Sequence, residues 1–222
     1  MAARIAFVHT VGFLVDDFKR LMLAQLPDVD CFHILNESLL QDLLRGSEPA
    51  LIHRRVVKQV HLAIDAGADL VVMTCSSTSP AIDIARQMVN RPILKIDDPM
   101  AAEAVNYGPR IGLLCTATST VAPSTSLLLA HAELQSRAVA IHPHVNADAY
   151  RALMVGDRAT HDALVHESAA RLARDVDVLV LAQASLAPLR DSMAAELDCP
   201  VLSSPPLLMR ELIRRLSPDR MA

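Results

Sequence analysis

Short apolar runs alternate along the chain with longer segments in which apolar residues recur every three or four positions. A short apolar run is typical of a strand buried on both faces, and the longer period indicates an amphipathic helix. Regular alternation of the two predicts an α/β fold built on parallel sheets. The predicted strands are residues 4–9, 30–35, 69–74, 92–96, 110–115, 138–142, 177–182 and 200–202, and the predicted helices are 16–25, 48–66, 79–89, 100–106, 122–136, 158–174, 186–196 and 206–216.

Several polar residues next to these elements are expected to serve local structure. Asp157 precedes the helix at 158–174, and Asp97 and Asp98 precede the helix at 100–106, so all three are predicted helix caps. Four histidines in the second half are expected in a loop or on a solvated helix face: His142, His144, His161 and His166.

An internal repeat is the most informative feature of the chain. Residues 69–80, DLVVMTCSSTSP, recur in outline 108 residues later at 177–188, DVLVLAQASLAP. Further blocks recur in the same order with offsets of 106 to 110 residues, pairing 4–10 with 110–116, 43–46 with 153–156, and 91–94 with 199–202. Because the blocks keep their order and their offsets differ by only a few residues, they indicate a duplicated half-domain. Cys75 in the first copy falls on Gln183 in the second.

The duplication predicts two pseudo-symmetric lobes, each a four-stranded parallel sheet flanked by helices. Residues 1–98 are expected to form the first lobe, with some exchange of the C-terminal helix, and residues 99–222 the second. Ligands of open parallel sheets bind beyond the carboxyl ends of the strands. The active site is therefore expected in the cleft between the lobes, with Cys75 and Gln183 on opposite walls.

Both copies end a buried strand in a turn of small and hydroxyl-bearing residues. Residues 74–79 place Cys75 in front of a predicted helix N-terminus, where unpaired N–H groups and the helix dipole favour an anion and hence a thiolate. Serine and threonine also cap helices, so a single turn of this kind has a purely structural interpretation as well. Residues 116–120, TATST, form a third turn of this kind after the strand at 110–115, and three such turns at strand ends favour a site for a small anion. The residues expected to bind its oxygen atoms are Thr10, Ser76, Ser77, Thr78, Thr116, Thr118, Ala184 and Ser185.

Composition excludes several other classes of function. A net charge of −4 and 3% aromatic residues without tryptophan give no surface suited to nucleic acid. Six glycines, with no glycine-rich phosphate loop among them, disfavour nucleotide binding. The four cysteines are far apart and form no zinc-type pair. With no apparent signal peptide or membrane span, a reduced cytoplasmic protein without a metal is expected.

Three of these segments resemble motifs of one enzyme family. Residues 74–78, TCSST, resemble the Cys-Asn-Thr-type motif of the aspartate/glutamate/hydantoin racemase superfamily, and residues 180–185, VLAQAS, resemble its second motif, Leu-Gly-Cys-Thr-His. Residues 111–120, IGLLCTATST, are similar to its mid-chain strand and Thr-x-x-Thr turn. The order of the motifs agrees with the repeat, and the resemblance extends over nearly the whole chain.

The resemblance implies chemistry without a cofactor at the carbon next to a carboxylate or carbonyl. In such racemases one cysteine removes the α-proton and a second protonates the opposite face. Matched onto this chain, Cys75 is one acid–base group, while Gln183 stands where the second cysteine belongs. An amide does not ionise near neutral pH, so Gln183 is expected to orient the substrate by hydrogen bonding instead.

Several functions are compatible with a single cysteine. His9, with an ordinary pKa near 6.5, would supply the second proton transfer of a racemase or epimerase. Cys75 alone would suffice for a lyase, such as the superfamily's decarboxylases, which protonate an enediolate from one side. It would also serve as a nucleophile, as in the maleate isomerases, or belong to a non-catalytic protein that binds a small carboxylate. The resemblance further implies a homodimer or a higher homo-oligomer.

Overall fold

The structure is a computed structural model, which describes residues 3–216. Its strands are Arg4–His9 (β1), Asp30–Leu35 (β2), Leu70–Met73 (β3), Ile93–Lys95 (β4), Arg110–Cys115 (β5), Ala140–Val145 (β6), Val178–Leu181 (β7) and Val201–Ser203 (β8). Its α-helices are Phe13–Gln25 (α1), Ser38–Leu44 (α2), Pro49–Asp65 (α3), Pro80–Arg86 (α4), Asp98–Ala104 (α5), Val121–Leu134 (α6), Ala147–Met154 (α7), Arg158–Leu172 (α8), Arg190–Glu196 (α9) and Ser204–Leu216 (α10). Short 3-10 helices cover Thr118–Thr120, Ala173–Asp175 and Ala184–Leu189.

Residues 3–96 and 208–216 form the first of two compact units. Its sheet is wholly parallel and has the strand order β2-β1-β3-β4. Successive side chains of a strand point to opposite faces. Ala6 and Val8 accordingly pack into a core with α2, α3 and α4, whereas Phe7 lies against Phe18 of α1, with their ring centroids 5.1 Å apart.

Residues 97–207 form the second unit, whose parallel sheet has the order β6-β5-β7-β8. Leu114 and Leu181 pack on the face that α8 and α9 cover. Leu113 and Val180 pack on the opposite face, against α5 and α6. Helix α10 begins in this unit, and its residues from Leu208 onward belong to the first. The predicted α/β fold with two four-stranded parallel sheets flanked by helices is confirmed.

Strand β6 lies further along the chain than predicted. It covers Ala140–Val145 instead of 138–142, so His142 and His144 are strand residues and not loop residues. Proline donates no hydrogen bond to a neighbouring strand and is therefore confined, within sheets, to edge strands and bulges. β6 stands at one end of the strand order. The N–H groups of Ala140 and Asn146 point to β5, so the alternate position 143 points away from it and the missing donor leaves no bond to β5 unmade.

Two helices, α2 and α7, were not predicted, and both end at a glycine of the internal repeat. In α2 the N–H of Gly46 donates to Leu43 and the N–H of Ser47 donates to Asp42, which is the pair of bonds that defines a Schellman motif. Gly156 after α7 makes the equivalent bond, and both glycines have positive φ angles, +86° and +82°. The block shared by 43–46 and 153–156 is therefore a helix end, and helices this short carry little periodicity.

Replacing Gly156 with alanine is expected to lower the free energy of unfolding by about 1–2 kcal/mol, because a Cβ is strained in the left-handed conformation. Urea denaturation measures this difference. Gly12→Ala is the matched control: Gly12 has φ −62°, and an added Cβ would have its nearest neighbour at 3.5 Å. An equal loss in both variants would contradict the conformational explanation.

Three further local expectations concern the second unit. Asp157 caps α8 as predicted, with its carboxylate accepting from Thr160 N at 3.1 Å. Asp97 stands at the N-cap position of α5 but makes no side-chain cap bond there; its buried carboxylate accepts a hydrogen bond from the Ser204 hydroxyl. His161 was expected to be solvated but is buried, and its Nδ1 lies 2.7 Å from Asp162.

Candidate functional site

Cys75 lies two residues beyond the end of β3, in the turn that leads into α4. The turn runs through consecutive backbone bonds, including Ser79 N to the Ser76 carbonyl at 3.2 Å, and the helix begins at Pro80 as expected. The thiol is buried and packs in the same core as Val8 and Met73. Cys75 therefore occupies the carboxyl edge of the first sheet, at the place where open parallel sheets bind ligands.

Two buried hydroxyl groups near this cysteine have no hydrogen-bond partner in residues 3–216. Thr10 follows the end of β1, and continuing the β1–β3 register places it level with Cys75. Thr78 belongs to the same turn as Cys75. The two residues are 3% and 1% exposed, yet neither Oγ1 is hydrogen-bonded to a described residue. An unsatisfied buried hydroxyl costs about 1–3 kcal/mol, so such groups in a native fold call for a ligand or another explanation.

His9, at the end of β1, takes part in a chain of hydrogen bonds whose direction is fixed. The Thr74 hydroxyl donates to the Val8 carbonyl at 3.1 Å and therefore accepts from His9 Nδ1 at 2.8 Å. His9 Nε2 is then an acceptor, and His33 Nδ1 donates to it across 2.9 Å. His33 Nε2 ends the chain as a buried acceptor without a partner in the described residues.

The surroundings of His9 keep its ring neutral. Burial, reinforced by the neighbouring His33, lowers the pKa of His9 from 6.5 to about 3. Its ring packs among Phe7, Phe18 and His33, on the face of the sheet that α1 covers. Cys75 packs on the opposite face. The structure therefore does not bring His9 and Cys75 together, and His9 lacks the ordinary pKa on which its predicted role rested.

Gln183 holds together the corresponding turn of the second unit. It lies two residues beyond β7, and its Oε1 accepts hydrogen bonds from Thr116 N, from Thr116 Oγ1 at 3.1 Å and from Ala117 N at 3.2 Å. Two of these donors are backbone N–H groups, so the atom between them must be the amide oxygen. The Nε2 group makes no hydrogen bond to any described residue and is the part of the amide left for other partners.

Cys115, at the end of β5, faces away from Gln183. It packs with Leu113 and Val180 on the α5–α6 face, where it is completely buried. Burial, with the charge of Asp97 as a second cause, raises the pKa of Cys115 to about 12. The thiol is therefore protonated at neutral pH, as suits a small buried core residue.

The remaining predicted site residues lie at the same two strand edges with different degrees of burial. In the first unit Ser76 is buried and Ser77 half-buried. In the second unit Thr118 is exposed, whereas Ala184 and Ser185 are half-buried in the 3-10 helix after β7.

Two polar residues with a place at these edges were missed by the sequence analysis. His33 carries no motif, and only the pairing of β2 with β1 reveals its bond to His9. Ser203 ends β8, opposite Leu181, with a buried hydroxyl that lacks a partner among the described residues. The repeat offset of 108 residues relates Ser203 to Lys95 and is the one signal that could have drawn attention to it.

No metal-binding cluster of three or more His, Cys, Asp or Glu side chains occurs within the described part of the chain. Across residues 3–216, every helix is too short or too polar to cross a membrane.

Two parallel sheets of the same strand order, one with a cysteine turn and the other with a glutamine turn at its strand edge, make this an α/β protein with a duplicated fold. The family model for Asp/Glu/Hydantoin racemase matches residues 16–212. The chain therefore belongs to the Asp/Glu/Hydantoin racemase family, and a racemase-type isomerase function follows at that level. No curated protein matches it in sequence.

Solved structures with the same fold include three racemases of different specificity. Glutamate racemase isoform RacE1 from Bacillus anthracis is 18% identical with a TM-score of 0.76, and the match covers 96% of this chain and 81% of that one. Allantoin racemase from Klebsiella pneumoniae is 17% identical with a TM-score of 0.69, covering 97% and 89%. Aspartate racemase from Picrophilus torridus is 14% identical with a TM-score of 0.72, covering 97% and 94%. At these identities the likeness establishes the fold.

Proposed function

We propose that this protein is a cofactor-independent isomerase of the racemase type that acts on a small acid, at the carbon next to its carboxylate or carbonyl group. In this proposal Cys75 exchanges a proton with that carbon. One observation carries the proposal: a buried cysteine at a strand edge shares its surroundings with two buried hydroxyls, those of Thr10 and Thr78, that have no hydrogen-bond partner among the described residues.

The two hydroxyls suit the charge that such a reaction develops. Removal of the α-proton turns a carboxylate into an enediolate, whose extra negative charge resides on oxygen. Hydroxyl donors fixed beside that oxygen stabilise it more than they stabilise the ground state, which lowers the barrier. Thr10 and Thr78 would donate to the substrate oxygens, and Ser76 and Ser77 of the same turn would complete the binding of the carboxylate.

The proposal places a proton-transferring side chain on one side of the substrate only. Gln183 takes the repeat position of Cys75, in the place of the second cysteine of the family's two-cysteine enzymes, and its amide does not ionise. His9 is neutral and lies on the other face of its sheet. In a racemase, the Cys75 thiolate would take the α-proton and the opposite face would be protonated by solvent.

A decarboxylase is the second candidate, and the single cysteine favours it. In that reaction the bond from the α-carbon to one carboxylate of a malonate-like acid breaks, and CO₂ leaves. The bonding electrons remain as an enediolate, which takes the proton of the Cys75 thiol. Solvent then returns a proton to the thiolate. One proton donor on one face is sufficient, and the product is a single enantiomer.

A deuterium-exchange screen in D₂O tests the proposal. The protein is incubated with a panel of amino acids, hydantoins and substituted malonates, and deuterium at the α-carbon, released CO₂ and product chirality are measured by mass spectrometry and chiral chromatography. Racemase chemistry predicts deuterium in both enantiomers of at least one acid that is otherwise unchanged. Decarboxylase chemistry predicts CO₂ and one deuterated enantiomer.

Binding without turnover is the outcome that would contradict both candidates. A protein that only binds small carboxylates would show saturable affinity by calorimetry but neither exchange nor CO₂ with any member of the panel. Its affinity would also survive Cys75→Ala, since the hydroxyl donors remain.

A further inference from the structure

The environment of Gln183 resembles a filled anion site. Three donors from the turn after β5, two backbone N–H groups and one hydroxyl, converge on its Oε1. Successive N–H groups that point at one oxygen are the usual way in which a turn binds a carboxylate or phosphate oxygen. In this chain the oxygen belongs to the protein itself, 67 residues along the chain from Thr116.

The first unit shows what the same position is like without such an occupant. The β5–β7 register, continued past the strand ends, places Thr116 level with Gln183, just as the β1–β3 register places Thr10 level with Cys75. Thr116 Oγ1 donates to the Gln183 oxygen. Thr10 Oγ1, its counterpart, is buried and has no partner in residues 3–216. The two halves of the repeat therefore differ: the donor at the first strand edge is unused and the donors at the second are occupied.

We propose that Gln183 is a self-ligand, a side chain whose amide oxygen takes the place of a substrate carboxylate oxygen in the turn formed by Thr116 and Ala117. The turn is then closed to a free carboxylate, and only the Nε2 donor of Gln183 remains there for another partner.

Chemical rescue of Gln183→Ala tests the self-ligand directly. Truncation leaves the three donors of the turn without their acceptor, and the melting temperature is expected to fall by about 5 °C. Acetamide or acetate, added at increasing concentration, should restore part of this loss by placing an oxygen between the same donors. In ¹⁵N-labelled protein, the amide resonances of Thr116 and Ala117 should shift in Gln183→Ala and return toward the parent positions as the probe is added.

Gln135→Ala is the matched control. The Gln135 amide also bonds to the backbone of this unit, but as a donor from Nε2 to the Ala102 carbonyl at 2.9 Å. Its loss creates no set of unpaired N–H groups, so neither probe should raise its melting temperature beyond the effect on the parent. A Gln183→Ala variant that melts with the parent, that is not rescued, or that responds to the probes as Gln135→Ala does would overturn the self-ligand.

Discussion

Replacing Cys75 with serine is expected to reduce the rate of α-deuterium incorporation by about 10²–10⁴-fold, the usual contribution of a group that transfers a proton in the transition state. Serine keeps the size and polarity of the side chain, but its hydroxyl is far less acidic than a thiol at neutral pH. The measurement is the initial exchange rate of the best substrate found in the screen, at saturating and at low concentration. A fall in kcat with little change in KM is expected.

The other cysteines supply controls for this result. Cys31 and Cys199 are only half-buried and lie away from the strand-edge turns, so Cys31→Ala and Cys199→Ala should keep exchange rates near that of the parent. Each control removes a thiol while leaving the turn at residues 74–79 intact. If Cys75→Ser exchanges deuterium as fast as these two variants, the catalytic role of Cys75 is wrong.

Lowering the pH from 7.5 to 5 is expected to destabilise the fold by about 2 kcal/mol through His9 alone. The pKa of His9 is about 3 in the folded chain, against 6.5 for an unperturbed histidine ring. The unfolded chain therefore binds a proton in this range that the folded chain does not. This stability is fully present above pH 6.5 and is lost as the pH falls toward 3.

His33 contributes in the same direction, because burial and the charge of Lys19 lower its pKa, with Asp16 opposing the shift. Urea denaturation at a series of pH values measures the effect. His9→Asn, in which the asparagine amide can still reach the Thr74 hydroxyl, should show a shallower decline between pH 7.5 and 5. His142→Asn, at an exposed strand position, should decline as the parent does. Equal slopes in all three proteins would refute the assignment to His9.

Sequence patterns predicted the fold best where an apolar run ends sharply. The bounds of β1, β2 and β5 agree with the predictions at both ends, and β3 and β7 differ only in their terminal residues. The repeat indicated two sheets of the same kind, and both have the same strand order. The predicted β6 stopped at residue 142, ahead of Pro143, and α2 and α7 were missed because their few turns gave no clear period.

The candidate site could be predicted only in part, for a reason visible in Gln183 and His9. The repeat placed Gln183 at the position equivalent to Cys75, and the chemistry of an amide excluded it as a base. The repeat did not reveal that the N–H groups of Thr116 and Ala117 bind the amide oxygen. Those contacts join residues 67 and 66 positions apart in the chain and depend on the register of β5 and β7.

The sequence by itself determined the fold class, the duplication, and the strand-end positions of Cys75 and Gln183, because apolar periodicity and internal repetition are local properties of a chain. Tertiary structure alone decided which polar groups are satisfied. It buried His9 among Phe7, Phe18 and His33, and this burial lowers the pKa of His9 so that its ring is neutral. It also filled the second turn with Gln183 and left Thr10 without a partner among the described residues at the first, since hydrogen bonding and desolvation depend on neighbours that only folding brings together.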